Sequence, residues 1–247
     1  MRAFLIGTLL AIVPLAAQTV PKVLDFNHNG WFSYSGDHPV AGRWGLHLDG
    51  QWRRFDVVTR WQQYQIRPGV NFTLNPNVLL TAGYVFTKAY PYGDYPVRAA
   101  YPEHRTYQQA LIRHPGERVQ FSQRFRLEQR FIRYPDTPNQ SWTYQNRFRY
   151  MFRAELPLTK TADNRLDWYV PVWDEILLGI PPNQGARTFD QNRIFVGIGK
   201  SLGRLGNFEA GYMNQFIGQR NGRIFEFNNT LFVTFTSAYD LSNLWSD

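Results

Sequence analysis

From about residue 43 to 237 the chain alternates polar and apolar side chains in long runs, separated by clusters of Gly, Pro, Asn and Asp. Run 118–132 is the clearest. Arg118, Gln120, Ser122, Arg124, Arg126, Glu128 and Arg130 fill its even positions, while Val119, Phe121, Phe125, Leu127 and Phe131 make the odd ones mostly apolar. Successive side chains of a β-strand point to opposite faces, so a period of two gives one arginine-lined face and one Phe/Leu face. The next run repeats the design, with Trp142, Tyr144, Phe148, Tyr150 and Phe152 opposite Gln145, Arg147, Arg149, Arg153 and Glu155. Trp44, Leu46, Leu48 and Trp52 oppose His47, Asp49, Gln51 and Arg53, and Ile66, Val70 and Phe72 oppose Gln65, Arg67 and Asn71. Near the end, Phe225, Phe227, Leu231, Val233 and Phe235 oppose Glu226, Asn228, Thr230 and Thr234.

Runs at about 77–89, 104–113, 165–175, 188–201 and 205–217 alternate more loosely; in 188–201, Gln191 and Arg193 face away from Ile194, Val196 and Ile198. Turn clusters fall at 74–77, 114–117, 134–139, 179–185 and 220–222. Ten strands result, with an eleventh candidate at 28–36.

Alternation alone also suits a soluble sandwich or barrel. Strand length separates the two cases, because soluble strands usually run about 5–6 residues and a tilted membrane-crossing strand needs about 9–11. These runs reach the longer figure. Aromatic residues also gather near their ends (Trp44, Trp52, Tyr64, Tyr84, Tyr90, Trp142), where a membrane barrel carries its interfacial girdles. Short connections at 74–77, 114–117 and 202–206 alternate with longer ones at 90–103, 134–140 and 179–187, as in barrels with tight turns on one side and loops on the other. The pattern predicts an all-β, transmembrane, up-and-down antiparallel β-barrel of ten to twelve strands. An even number is the usual expectation for a single-chain bacterial barrel.

Composition agrees with an inverted polarity: 8 Trp, 14 Tyr and 19 Phe coexist with a mean hydropathy of −0.43. The net charge of +8 raises the question of nucleic acid, but the arginines are spread at alternate positions along the chain rather than gathered in a basic patch, so no nucleic-acid partner is expected. Cysteine is absent, which excludes a disulfide scaffold, a thiolate metal site, a cysteine nucleophile and a lipoprotein anchor. Met1-Arg2, the largely apolar run Phe4–Ala17 and the small pair Ala16-Ala17 match a signal peptide over 1–17, leaving 18–247 as the barrel domain. Its apolar stretch is shorter than the ~20 residues a spanning helix needs. The expected address is the outer membrane of a Gram-negative bacterium, with outer-membrane lipid and the barrel-assembly machinery as partners.

The segments Arg105-Thr-Tyr-Gln-Gln109, Arg124-Phe-Arg-Leu-Glu-Gln-Arg130, Arg147-Phe-Arg-Tyr150 and Asp190-Gln-Asn-Arg193 resemble the uncharacterised outer-membrane barrels of Gram-negative bacteria grouped as a domain of unknown function. The likeness covers about residues 26–240 and is most specific in the R-x-R-x-E-x-R run. It implies a barrel in the outer membrane and carries no activity with it. The chain departs from such barrels in continuing past Phe235 to Leu244-Trp-Ser-Asp247.

Candidate lumen-lining residues are Arg53, Arg67, Arg124, Arg126, Glu128, Arg130, Arg147, Arg149, Arg153 and Arg193, with Asp49, Glu155, Asp167, Glu175, Glu209 and Glu226 as further acidic partners. Two roles suit them: a narrow, porin-like pathway favouring small anionic solutes, or a structural barrel braced by Arg–Glu pairs. The alternative from another class is an outer-membrane hydrolase acting on lipid or envelope substrates. It needs a nucleophile and base, and His28, His38, His47, His104 and His114 supply candidate bases, without a G-x-S-x-G stretch. No catalytic, metal or cofactor-binding residue is assigned. The glycines of Gly197-Ile-Gly199 lack the following helix that a phosphate loop requires.

Overall fold

The structure, a computed structural model, describes residues 21–116, 118–161, 166–182 and 188–242. The expected signal peptide and the segment Leu244–Asp247 lie outside the described residues.

Eleven strands form one closed barrel: β1 (Val23–Ala41), β2 (Trp44–Phe55), β3 (Arg60–Asn75), β4 (Val78–Ala89), β5 (Tyr101–His114), β6 (Gln120–Ile132), β7 (Thr143–Pro157), β8 (Trp168–Ile180), β9 (Phe189–Ser201), β10 (Asn207–Gly218) and β11 (Ile224–Ser237). Consecutive strands pair antiparallel, as an up-and-down chain requires. The ten patterned runs are β2 to β11, and the 28–36 candidate is part of a long β1 that belongs to the wall.

The even count does not hold, because the barrel closes on a parallel pair. β1 runs alongside β11 from Val23↔Ile224 to Gly36↔Ser237. Equivalent faces coincide in that register. Phe26 meets Phe227 outside, with ring centroids 5.3 Å apart, and Asn27 lies beside Asn228 inside. A parallel ladder is slightly weaker per residue than an antiparallel one, but here it preserves the separation of polar and apolar faces.

One end of the barrel carries the connections 56–59, 90–100, 133–142, 181–188 and 219–223, and is called the loop end; the other carries 42–43, 76–77, 115–119, 158–167 and 202–206. The longer connections gather at the loop end as expected, with 158–167 the exception. Outside, Leu46, Leu48, Ile66, Val70, Leu127, Ile194, Val196 and Leu231 are exposed. Near the loop end Trp61 packs edge-on and tilted among Trp52, Tyr64 and Tyr90, and near the turn end Trp44 packs on Phe72. Several polar groups on this wall bond one another: Gln108 with Gln129, Tyr212 with Asn229, and Asn192 with Asp174.

The inner face is mostly polar, but it includes an apolar cluster of Trp31, Trp173, Phe195 and Met213, with Met151 and Phe232 against it. Nearer the turn end, Tyr169 lies flat on Gly199, where a β-carbon would come within 2.3 Å of the ring. Only glycine leaves that large inward side chain room to lie along the wall.

Candidate functional site

All ten candidate residues send their side chains inward, because they share the inward parity of β2, β3, β6, β7 and β9. Most gather on the wall from β5 to β9, around two buried carboxylates. Glu128 is fully buried and accepts from Arg147 Nε and Nη2 at 2.8 and 2.6 Å and from Arg149 Nη1 at 2.9 Å. Glu175 accepts from Arg149 Nη2 at 2.7 Å, Arg124 Nη2 at 2.7 Å and Arg193 Nη1 at 3.2 Å. A buried guanidinium costs several kcal/mol of lost hydration, about repaid only by well-oriented opposite charge. Its fork of N–H groups can bind one carboxylate with two bonds, as Arg147 does on Glu128.

The remaining candidates extend this network. Arg130 donates to Glu103 and lies 3.9 Å from Asp190. Arg153 bridges Glu155 and Glu209, and Arg67 pairs with Asp49 at 3.2 Å. Arg126 bonds the Gln109 side chain at 2.9 Å, with Glu128 3.9 Å away. Arg53 differs from all of these. Its bonds go to the amides of Gln51 and Gln63, its guanidinium stacks 3.8 Å from the Trp31 ring centroid, and no carboxylate among the described residues pairs with it.

Asp167 does not join the network. It lies in the connection before β8 and pairs with Lys200 near the turn end. The reason is local: Asp167 precedes the first residue of the strand, so the inward parity that reaches Glu175 does not act on it. In the other direction, the sequence reading missed Glu103, Arg105 and Asp190 as members. Glu103 and Arg105 open a loosely patterned strand, yet they share the parity of the buried Tyr107, a signal that was present.

Mid-barrel, the interior is dry. Tyr107, Glu128, Leu177, Phe195, Met213 and Asn228 come from six different strands and all have 0% of their surface exposed. A water-filled channel would wet the side chains that line it. Here the network and the apolar cluster fill the cross-section at that level.

Toward the loop end the interior opens into a cavity of about 740 Å³. Trp31, Arg53, Arg105, Arg130, Arg147 and Arg193 lie along its lining, and its rim includes Tyr92, Tyr95, Arg98, Tyr134 and Arg220. Eight arginines and four carboxylates line it, so its sign is positive. The 90–100 loop folds inward to shape this mouth. Tyr92 packs on Phe55 and donates to Glu226 at 2.7 Å; burial, and then the Glu226 carboxylate, hold its phenol well above the usual tyrosine range. Gly93 follows at a φ of 72°, and a β-carbon there would lie 2.8 Å from the Asn27 amide oxygen and 2.9 Å from Asp25 Oδ2. Gln219 bonds Glu226 at 2.7 Å, and Arg220 lies over the Tyr134 ring.

The histidines do not converge. His28 is exposed on the outer wall, His114 is at the turn end, His38 bonds Tyr34, and His104 packs among Tyr84, Phe86 and Trp142 on the outer face. Among the described residues only His47 is paired with an acid, Asp37 at 2.7 Å, and no serine hydroxyl bonds to it. No group of three or more acidic or histidine side chains among the described residues is arranged to hold a metal ion.

Neither the curated proteins nor the solved structures contain a match to the chain. Residues 28–226, from β1 into β11, match the family described as "Protein of unknown function (DUF2490)", and the chain belongs to that family.

Proposed function

We propose that this protein is an outer-membrane β-barrel of a Gram-negative bacterium, delivered by a signal peptide over residues 1–17, in which the arginine network braces the wall and closes the middle. The observation that carries the reading is the inverted polarity of a closed barrel: apolar side chains such as Ile194 and Val196 face outward, while Glu128, Glu175 and their arginines are buried inside. In water that distribution is unfavourable, because apolar area stays wet while charges are stripped of hydration. In lipid it suits every strand, since a closed sheet leaves no edge unsatisfied. Outer-membrane lipid then covers the aromatic wall, and the barrel-assembly machinery inserts it.

Of the two roles open to an arginine-lined interior, bracing is favoured over conduction by the dry cross-section at Glu128, Leu177 and Phe195. The test is to refold the mature chain in detergent, compare boiled and unboiled samples on a gel, and then reconstitute it in planar bilayers. A mobility shift on boiling with no conductance steps is the expected result. A monodisperse protein in plain buffer would overturn the membrane assignment, and regular anion-selective steps would overturn the braced interior.

A further inference from the structure

Among the described residues of the braced network, Arg53 has no carboxylate partner, and it faces the cavity. Arg53 is 8% exposed, stacked on Trp31 and held by Gln51 and Gln63. Beyond it, Arg193 lies 5.2 Å from the same ring centroid, while its own carboxylate, Glu175, is shared with Arg149 and Arg124. A guanidinium fixed by amides and an aromatic face has its position settled but its charge unmatched. An oxyanion completes it, accepting from the N–H groups left at the fork.

We propose that the vestibule at the loop end is a binding site for a small organic oxyanion, a phosphate or carboxylate carried on a ring-bearing body, with Arg53 as its anchor. The volume of about 740 Å³ suits a ligand of that size, within the roughly 300–1,000 Å³ of small-molecule sites. At the rim Tyr95 exposes its ring to the body, and Tyr92 and Tyr134 hold two more rings beside it, one packed on Phe55 and one under Arg220. Arg98 and Arg220 place further positive charge at the entrance. Such charge in a cleft attracts anions before contact and weakens with salt. The acids of the lining offset this only in part: Glu103 is taken up by Arg105 and Arg130, and Asp190 by Arg147. Glu226, which keeps its charge among the neutral donors Tyr92, Gln219 and Asn228, and Asp136 leave the eight arginines in excess. The inference rests on the closed barrel of the proposed function and not on its membrane address.

The test is titration calorimetry on the full mature chain in detergent, using only preparations whose gel mobility shifts on boiling. Because that shift certifies the barrel, failure to bind then counts against the site and not against the fold. Glucose 6-phosphate and glucuronate are the probes, with glucose and inorganic phosphate as controls. At least one charged sugar should bind, more weakly as salt rises, while glucose does not and inorganic phosphate binds at least tenfold more weakly. Arg53→Gln removes the anchor and Gln63→Glu gives it an internal carboxylate, so each should lower affinity by about tenfold or more, since a hydrogen bond to a charged group contributes roughly 1.5–3 kcal/mol. Arg204→Gln, exposed near the turn end, should leave affinity unchanged. No heat with either charged sugar at about 10 mM, enough to load a site of roughly 1 mM affinity, would overturn the proposal. Wild-type affinity in both Arg53→Gln and Gln63→Glu would do the same. Equal affinity for inorganic phosphate would overturn the part given to the tyrosines.

Discussion

Replacing Glu128 by glutamine tests the bracing role most directly. The side chain keeps its shape and one acceptor oxygen but loses the charge, and its new NH2 faces guanidinium N–H groups at hydrogen-bond distance. Arg147 then loses the acceptor it holds with two bonds at 2.8 and 2.6 Å, or Arg149 loses its bond at 2.9 Å, depending on how the amide turns. Arg105 and Arg126, 3.8 and 3.9 Å away, lose their shared countercharge as well. Removing one member of a buried ion pair costs about 3–5 kcal/mol, because the partner stays buried and unmatched. At a urea slope of about 2 kcal/mol per molar, the unfolding midpoint should fall by about 2 M. The assay is urea titration of the barrel refolded in lipid vesicles, followed by tryptophan fluorescence and by the fraction of unboiled gel band. Adding Arg147→Gln should recover part of the loss, since it removes one of the stranded charges, so the two substitutions should not be additive. A midpoint change below about 0.5 M for Glu128→Gln, or strict additivity in the double variant, would refute the bracing argument.

Two further outcomes follow from the same structure. Val196 is 48% exposed between Val172 and Tyr212 on the outer wall, so Val196→Arg should cost about 2–4 kcal/mol in vesicles, seen as a lower folded fraction; unchanged folding would mean that this face does not meet lipid. In the fold, burial and Glu226 favour the neutral phenol of Tyr92. Its stabilising contribution is therefore complete below about pH 10 and is lost as pH rises through the raised value. Tyr92→Phe should remove one tyrosine from the late part of an absorbance titration of the folded barrel, and identical wild-type and variant curves would contradict the Glu226 contact.

Where one face of a strand is polar almost throughout, as at Arg124–Arg130 and, Met151 apart, at Arg147–Glu155, the sequence displays the inward set directly, and those residues meet inside the barrel. Where both faces are apolar the period disappears. Trp173, Phe195 and Met213 point inward from strands whose outward residues, Val172, Ile194, Val196 and Tyr212, are also apolar or aromatic, so their cluster leaves no alternation to read. Asp167 failed for a different reason: period-two reasoning holds only where the backbone is extended, and strand ends shift by a few residues. The vestibule was not legible at all. It depends on a loop between β4 and β5 reaching Glu226 on β11, a contact spanning 134 positions that no local pattern encodes.

Eleven is odd, and that has a geometric consequence for whatever precedes and follows the wall. β1 begins beside the 219–223 connection, whereas β11 ends beside Gly36, at the level of the tight turns. Chain entering β1 and chain leaving β11 therefore emerge on opposite sides of any layer the barrel crosses. With an even number of strands both would emerge on the same side. A peptide fused before β1 and one fused after β11 would report from two different compartments, so the wall has a built-in polarity from one side to the other, fixed by strand count alone.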